Sequence, residues 1–287
     1  MATTFTNTAT LNYNGATLRS NVAVGTIEGV LSVAKNTAAQ EYAVGETLTY
    51  VVSIVNNSDA AVTGLTVTDD LGAYIFNTGT VQPLDYVAGS VQYYSSGVLQ
   101  PAPTVAATNG LVFSGITVPA NGSVILIYEA TVNEYAPPEV GGVIENTVTV
   151  TGPDVSDITA VESVPATSGA VLAILKSITP IPVAENGTLT YTFRLQNTGN
   201  TEVMASENAV VSDTFAPVLT DISVMLNGTA LEAGTDYTYD ETTGVFSTQE
   251  GILAIPAATF TQDPATGAWS VDPGTATLTV TGTVGAV

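Results

Sequence analysis

The sequence predicts an all-β protein, folded as two tandem β-sandwiches with a separate strand at the N-terminus. Hydrophobic residues make up 45% of the 287-residue chain and charged residues only 10%, and Thr, Val, Ala and Gly fill short alternating runs that are typical of strands. No stretch has a convincing helical pattern. A set of strands also recurs after about 140 residues, which is the size of a domain rather than of a solenoid unit. The chain is therefore expected to form two domains, each large enough to bury its own core.

The repeat is marked first by two apolar strands that end in lysine. They are residues 30–35 (VLSVAK) and residues 171–176 (VLAILK), and their last residues, Lys35 and Lys176, are the only lysines of the chain. Alternation along each strand points the lysine to the same side as the apolar residues before it. Both lysines are therefore expected to face the core.

The repeat is marked next by two strands that contain an asparagine. Residues 144–150 (IENTVTV) repeat the pattern of residues 5–13 (FTNTATLNY), with Asn146 at the position of Asn7. The first copy has no domain in front of it, so residues 1–14 are predicted to be a donor strand. Alternation places its inward-facing residues on one side: Phe5, Asn7, Ala9, Leu11 and Tyr13.

Domain 1 is predicted to cover residues 30–151, between linkers at residues 15–29 and 152–169. Its strands are expected at residues 45–56, 65–69, 90–94, 110–113 and 123–132, with the strand around Asn146 closing the sheet. Domain 2 is predicted to cover residues 170–287 and to repeat this order.

Three stretches align the two domains. Residues 187–191 (GTLTY) match residues 45–50 (GETLTY), Asn197 matches Asn56, and Asp213 matches Asp69. Domain 2 adds an Asn227-Gly228 turn, which is a strong hairpin signal. Its residues 280–284 align with residues 128–132 of domain 1, and only three residues follow them, so domain 2 is expected to lack its final strand.

About seven short strands at regular spacing in each domain indicate an immunoglobulin-like sandwich. The lysine strand, the GETLTY strand, the NNSD turn at residues 56–59, the TVTD strand at residues 66–69 and the closing Asn-Thr strand resemble the bacterial DUF11 repeat, an immunoglobulin-like module found in tandem on cell-surface proteins. The resemblance covers both domains. It implies a structural role at the cell surface and no ligand.

The missing strand of domain 2 matches the surplus strand at the N-terminus. A sandwich without its last strand exposes an apolar core and an unpaired edge, and a strand from another subunit can cover them by donor-strand complementation. Such a head-to-tail contact builds an open filament unless it closes into a ring. The sequence therefore predicts the structural subunit of an extracellular filament or pilus, whose partner is a second copy of itself.

Each lysine also has an aspartate and an asparagine on neighbouring strands. Lys35, Asp69 and Asn146 resemble the isopeptide-forming sites of Gram-positive pilin and adhesin domains, which implies that Asp69 promotes a bond between the other two within one chain. Asp70 and Glu129 are weaker candidates for the carboxyl, because their counterparts in domain 2 are threonines. A buried, non-covalent Lys-Asp pair remains the alternative.

The same resemblance implies a bond between Lys176 and Asn7 of the next subunit, with Asp213 as the promoting carboxyl. The filament itself does not depend on this bond, since insertion of the strand is sufficient to join the subunits.

Composition excludes several other functions. A net charge of −22 with four basic residues disfavours nucleic acid and anionic lipid as partners. The absence of Cys and His removes disulfides, thiol nucleophiles, the usual zinc sites and histidine-dependent triads, so no enzyme activity or cofactor is expected and no metal site is assigned. Calcium at the acidic turn of residues 234–240 stays an open alternative, although its spacing fits no EF-hand loop. The apolar runs are too short to span a bilayer. No secretory signal is visible, although an extracellular location is expected.

Two further alternatives stay open at this point. A monomeric cell-surface adhesin could bind a ligand through Tyr93 and Tyr94 or through the aromatic residues of 237–269. A stalk module with only intramolecular cross-links could instead come from a longer array.

Overall fold

The computed structural model describes four stretches of the chain, which are residues 3–27, 29–108, 110–153 and 155–285. These residues form β-strands and a single turn of 3-10 helix, Ala205–Glu207, which confirms the all-β fold class. The chain divides into two compact units. Unit 1 contains residues up to Pro137 together with Gly142–Pro165, and unit 2 contains Pro138–Gly141 together with the residues from Ala166 onward.

The N-terminal segment folds as a hairpin rather than as a single strand. Its strands are β1 (Thr3–Asn7), β2 (Thr10–Tyr13), β3 (Ala16–Arg19) and β4 (Ala23–Ile27), and β1 pairs with β4 while β2 pairs with β3. Asn14 and Gly15, both at positive φ, form the two-residue turn that suits the twist of a hairpin. Strands β3 and β4 thus lie within residues 15–29, the predicted linker. Residues 1, 2 and 28 lie outside the described part.

This N-terminal hairpin exposes a large apolar surface. Six of its larger apolar side chains are exposed: Phe5, Leu11, Tyr13, Leu18, Val22 and Val24. An isolated two-stranded hairpin is marginally stable in water, and a contiguous exposed apolar patch commonly marks an interaction surface.

Unit 1 is a sandwich of two sheets. The strands of the first sheet are ordered β12-β11-β15-β6-β5, with β10 also paired to β15, and those of the second are ordered β13-β14-β7-β16-β17. In chain order, the strands of unit 1 are β5 (Leu31–Thr37), β6 (Thr47–Asn56), β7 (Val62–Asp69), β8 (Tyr74–Phe76), β9 (Gly79–Val81), β10 (Leu84–Tyr86), β11 (Gln92–Ser95), β12 (Val98–Gln100), β13 (Thr104–Ala106), β14 (Leu111–Val118), β15 (Ser123–Val132), β16 (Val143–Gly152) and β17 (Val155–Pro165). Alternate residues face the core, which includes Tyr50, Val52, Leu65, Val67, Phe113, Leu126, Tyr128 and Val148.

The strand around Asn146 does not close unit 1, because a further strand follows it. Residues 155–165 were predicted to be part of a linker, yet they form β17, which pairs with β16 along its length. This strand also reaches the first sheet, since Thr37 N–H donates to Glu162 Oε1 (3.4 Å). The β-branched residues of this stretch alternate and can pair with β16; Asp154 lies outside the described residues.

Unit 2 repeats five strands of the first sheet, without a counterpart of β10 among the described residues, and repeats the second sheet only in part. Its sheets are ordered β18-β19-β27-β21-β22 and β20-β24-β23, with β25 and β26 forming a separate hairpin. In chain order, the strands of unit 2 are β18 (Leu172–Thr179), β19 (Thr188–Asn197), β20 (Ser212–Thr214), β21 (Leu219–Leu226), β22 (Thr229–Ala230), β23 (Tyr237–Tyr239), β24 (Val245–Thr248), β25 (Thr259–Gln262), β26 (Trp269–Asp272) and β27 (Gly274–Val284). Within residues 166–285, no strand stands where β16 and β17 stand in unit 1.

Candidate functional site

Unit 1 contains a fully buried ion pair at the position predicted from the sequence. Lys35 on β5 and Asp69 at the end of β7 have side chains that are 0% exposed, and Lys35 Nζ lies 2.5 Å from Asp69 Oδ2. Tyr128 donates its hydroxyl hydrogen to the same oxygen, and Leu71 N–H donates to Asp69 Oδ1 (3.0 Å). Lys35 Nζ also lies 4.9 Å from the ring centroid of Tyr50, within cation–π range.

Asn146 on β16 belongs to the same buried cluster. Its Oδ1 accepts a hydrogen bond from Gly72 N–H (3.2 Å). Its Nδ2 is buried and faces the hydroxyl groups of Tyr50 and Tyr128, but neither contact has the full geometry of a hydrogen bond, and the Tyr50 hydroxyl is equally poorly paired. A buried polar group without a good partner costs roughly 1–3 kcal/mol, so these two atoms are the least well satisfied of the cluster.

The protonation states in this cluster follow from burial. Desolvation lowers the pKa of Lys35, although the nearby Asp69 carboxylate opposes this effect. Burial raises the pKa of Tyr128 and that of Tyr50 above their ordinary values, because an apolar surrounding disfavours the phenolate. The amine is therefore moved toward its neutral, nucleophilic form, while both tyrosines remain hydrogen-bond donors.

The other candidate carboxyls point elsewhere. Glu129 is exposed on the face of β15 opposite to Tyr128. Asp70 Oδ1 accepts hydrogen bonds from Gly72 N–H (2.9 Å) and Thr147 N–H (2.8 Å), so it fastens β16 to the end of β7. Asp69 is thus the carboxyl in contact with the lysine.

Unit 2 contains the same pair in an open setting. Lys176 makes an ion pair with Asp213, and their side chains are 39% and 19% exposed. The ring centroids of Tyr191, Phe193 and Phe215 lie 4.6, 5.6 and 5.7 Å from Lys176 Nζ. Three aromatic rings and one carboxylate therefore hold the amine, while one side of it remains accessible to solvent.

Two members of the unit 1 cluster have no counterpart within the described part of unit 2. Val280 occupies the position of Tyr128, so the hydroxyl donor to the carboxylate is absent. No described asparagine of unit 2 takes the position of Asn146. Asn7, the predicted third member, is exposed and pairs with Ala23 inside the N-terminal hairpin.

The strand that carries Lys176 is uncovered. All eight residues of β18 are exposed, and Leu172 is 51% exposed whereas its counterpart Leu31 is 6% exposed. The difference arises because β17 lies beside β5 in unit 1. Beside β18 an apolar groove of about 220 Å³ is open, and it is lined by Leu172, Ala173, Ile174, Leu195, Ala209, Val210, Val211, Leu253 and Ile255.

The roles of Tyr50 and Tyr128 were not predicted from the sequence. The aligned GETLTY and GTLTY strands repeat Tyr50 as Tyr191, and this repetition was the available signal. Tyr128 has no such signal, since its counterpart is a valine. Only the tertiary structure shows that Tyr128 donates a hydrogen bond to Asp69.

The described residues contain no group of three or more His, Cys, Asp and Glu that could hold a metal ion. None of the helical segments in the described stretches is long and apolar enough to cross a membrane.

Comparison with known proteins gives similarity at the level of solved structures only. No family model matches the chain, and no curated protein matches it. The major pilin subunit BcpA of Bacillus cereus is 14% identical, with 95% of this chain and 73% of BcpA covered and a TM-score of 0.38. The pilus backbone protein RrgB of Streptococcus pneumoniae is 14% identical over 85% of this chain and 55% of RrgB (TM-score 0.35), and the major pilin SpaD of Corynebacterium diphtheriae is 12% identical over 85% and 59% (TM-score 0.34).

This chain thus spans little more than half the length of RrgB. Enzyme structures also match, at TM-scores of 0.28 and 0.30. Similarity of this degree does not indicate a function for this chain.

Proposed function

We propose that this chain is a structural subunit of an extracellular filament, in which the N-terminal hairpin β1–β4 of one subunit covers β18 of the next. One observation carries the proposal. In unit 1 the hairpin β16–β17 covers β5, whereas β18 of unit 2 is bare, and the N-terminal hairpin is a second copy of β16–β17.

The two hairpins share their register around the asparagine and again beside the turn. Asn7 pairs with Ala23 in the N-terminal hairpin, as Asn146 pairs with Glu162 in unit 1. Both hairpins shift their register by one residue before the turn, between Asn7 and Thr10 in the first and between Val150 and Gly152 in the second. An N-terminal hairpin placed in the position of β16–β17 would therefore direct Asn7 toward the site at which unit 2 lacks an asparagine.

The inward-facing residues of the two hairpins are equivalent one by one. Phe5, Asn7, Ala9 and Leu11 correspond to four buried residues of β16, which are Ile144, Asn146, Val148 and Val150. Burying their apolar surface against β18 would contribute about 25 cal/mol for each Å² removed from water. The exposed apolar faces of the hairpin and of β18 thus become one core.

Assembly by this contact is directional. The two surfaces that meet are different, so each added subunit presents a fresh hairpin at one end and a bare β18 at the other, and an open filament results. The partner of each subunit is a second copy of this chain. An acidic surface that keeps subunits soluble before assembly suits a location outside the cell, which is part of the proposal.

We further propose that the filament is locked by isopeptide bonds. Once deprotonated, Nζ of Lys176 attacks Cγ of Asn7, and the new Nζ–Cγ bond replaces the Cγ–Nδ2 bond. Asp213 relays the one proton that Nζ loses in this step to the leaving nitrogen, which departs as ammonia. Lys35 and Asn146 react in the same way within one chain, with Asp69 as the relay. Groups held in contact reach effective molarities on the order of 10⁵ M or more, so an unreactive amide can react once.

An engineered disulfide tests the insertion directly, because the chain contains no cysteine. Thr149 and Thr68 are directly opposed on β16 and β7, and their counterparts in the proposed contact are Thr10 and Ser212. Facing residues of antiparallel strands have Cα atoms about 4.5–5.5 Å apart, which suits a disulfide. After mild oxidation, the variant Thr10→Cys, Ser212→Cys is expected to give a ladder of multimers on a non-reducing gel.

The matched control is the variant Thr149→Cys, Thr68→Cys, whose disulfide should form inside one chain and leave its mass that of a monomer. Each single-cysteine variant should give no species larger than a dimer. Multimers that fail to form in Thr10→Cys, Ser212→Cys, while the control pair closes, would contradict the proposal. A longer tandem array, in which a strand of the same chain covers β18, would also give no multimers of Thr10→Cys, Ser212→Cys.

A further inference from the structure

The N-terminal hairpin has to choose between two sites that offer the same chemistry. Each unit presents a lysine-aspartate pair at an equivalent position, so the charges of the site cannot distinguish them. Residues 3–27 are also synthesised before residues 143–165, and N-terminal segments begin to fold first during synthesis. The hairpin could therefore enter unit 1 in place of β16–β17 unless the packing prevents it.

In unit 1, one inward-facing position of β16 is tightly packed. A Cβ atom on Gly152 would lie 2.5 Å from Cδ2 of Leu65 and 3.0 Å from Cγ2 of Val155. Leu65 is fully buried, and closely packed interiors leave such a side chain little space to move into. A large residue at this position of a hairpin in unit 1 would therefore have to displace Leu65 and Val155.

At the equivalent position of the proposed contact, the large residue lies on the hairpin and the small residue lies on unit 2. Tyr13 takes the place of Gly152 in the N-terminal hairpin, since it pairs with Ala16 as Gly152 pairs with Val155. Its side chain is 70% exposed. The alignment of Asp213 with Asp69 places Ala209 where unit 1 has Leu65, and Ala209 lines the open groove beside β18.

We propose that Tyr13 and Ala209 are a size-matched pair that directs the hairpin into unit 2 of another copy and excludes it from unit 1. The inference rests on the proposed head-to-tail assembly. In unit 1 the tyrosine ring would meet Leu65, and this clash disfavours the wrong site, as steric negative design does in other specific interfaces. In unit 2 the same ring fills the space that a leucine occupies in unit 1.

A double-mutant cycle tests this pair. The four chains are the wild type, Ala209→Leu, Tyr13→Gly and the double variant, and the measured quantity is the critical concentration for assembly, obtained by sedimentation. Ala209→Leu overpacks the groove and should raise this concentration by a factor of roughly 5 to 150. Tyr13→Gly should raise it as well, because the groove is left empty. The double variant recreates the Leu-Gly pair of unit 1 and should assemble better than either single variant.

The outcomes separate this inference from the proposed function. Recovery in the double variant shows both that Ala209→Leu leaves unit 2 folded and that the two positions interact. Ala230→Leu makes the same change at an exposed residue of β22, the sheet edge opposite to β18; it serves as the control and should change assembly little. Suppose that the Thr10→Cys, Ser212→Cys variant forms multimers, but Tyr13→Gly, Ala209→Leu has a critical concentration no lower than that of Ala209→Leu. This result would overturn the size-matched pair and leave the proposed filament unaffected. Absence of those multimers would overturn both.

Discussion

Replacing Asn7 by alanine is expected to abolish every covalent link between subunits and to leave the link inside each chain intact. Alanine lacks the amide carbon that Lys176 attacks, whereas Asn146 and Lys35 are unchanged. Wild-type filaments should resist boiling in detergent and give a ladder of multimers, and Asn7→Ala filaments should give one monomer band. Intact mass should show that each Asn7→Ala chain still lacks the mass of one ammonia.

The matched control is Asn12→Ala, which removes an asparagine from the outward face of the same hairpin. Its side chain is exposed and hydrogen-bonded to Thr17, so the ladder should persist. A boiling-resistant ladder that survives Asn7→Ala would show that the link uses another residue. A wild-type chain of full mass that runs only as a monomer would rule out the bond at both sites and leave a filament held by packing alone.

Asp69→Ala is expected to lower the free energy of unfolding of unit 1 strongly. The substitution leaves the ammonium group of Lys35 buried without a counter-charge and removes the acceptor of the Tyr128 hydroxyl. Breaking a buried ion pair by removing one partner costs roughly 3–5 kcal/mol, so unit 1 should lose at least that much free energy of unfolding, because the proposed Lys35–Asn146 cross-link is lost as well. The intact mass of the chain should also show no loss of ammonia at this site, because no carboxyl remains there to relay the proton.

Asp213→Ala is the control for this prediction, since it removes the same group from the open site of unit 2. A partly exposed ion pair is screened by solvent and contributes less than a fully buried one, and Lys176 can be solvated when its partner is lost. Both variants are best measured in a Leu11→Asp background, in which a charge on the inward face of the hairpin should prevent assembly. Hydrogen exchange of the amides of β5 and β18 then reports each unit separately. Equal losses at the two sites would contradict the role assigned to burial.

The comparison of sequence and structure is clearest at the hairpins. The pattern around Asn7 and Asn146 was sufficient to predict that two strands are related and that both carry an asparagine facing inward. It was not sufficient to show that a second strand follows each of them. Residues 16–27 and 155–165 fall within the stretches that were assigned to linkers. Such edge strands, half exposed, have a weaker alternation than central strands.

The sequence by itself determined the all-β class, the internal repeat, and the pairing of Lys35 with Asp69 and of Lys176 with Asp213. These follow from local patterns, since alternation decides which side chains face inward and a repeated pattern implies a repeated position. Only the tertiary structure decided the surroundings of the two pairs. Burial depends on which strands lie alongside, so β17 encloses the pair in unit 1, while in unit 2 the strand β18 has no such neighbour among the described residues. The contribution of Tyr128 and the steric relation of Leu65 to Gly152 also join residues far apart in the chain, which no local pattern records.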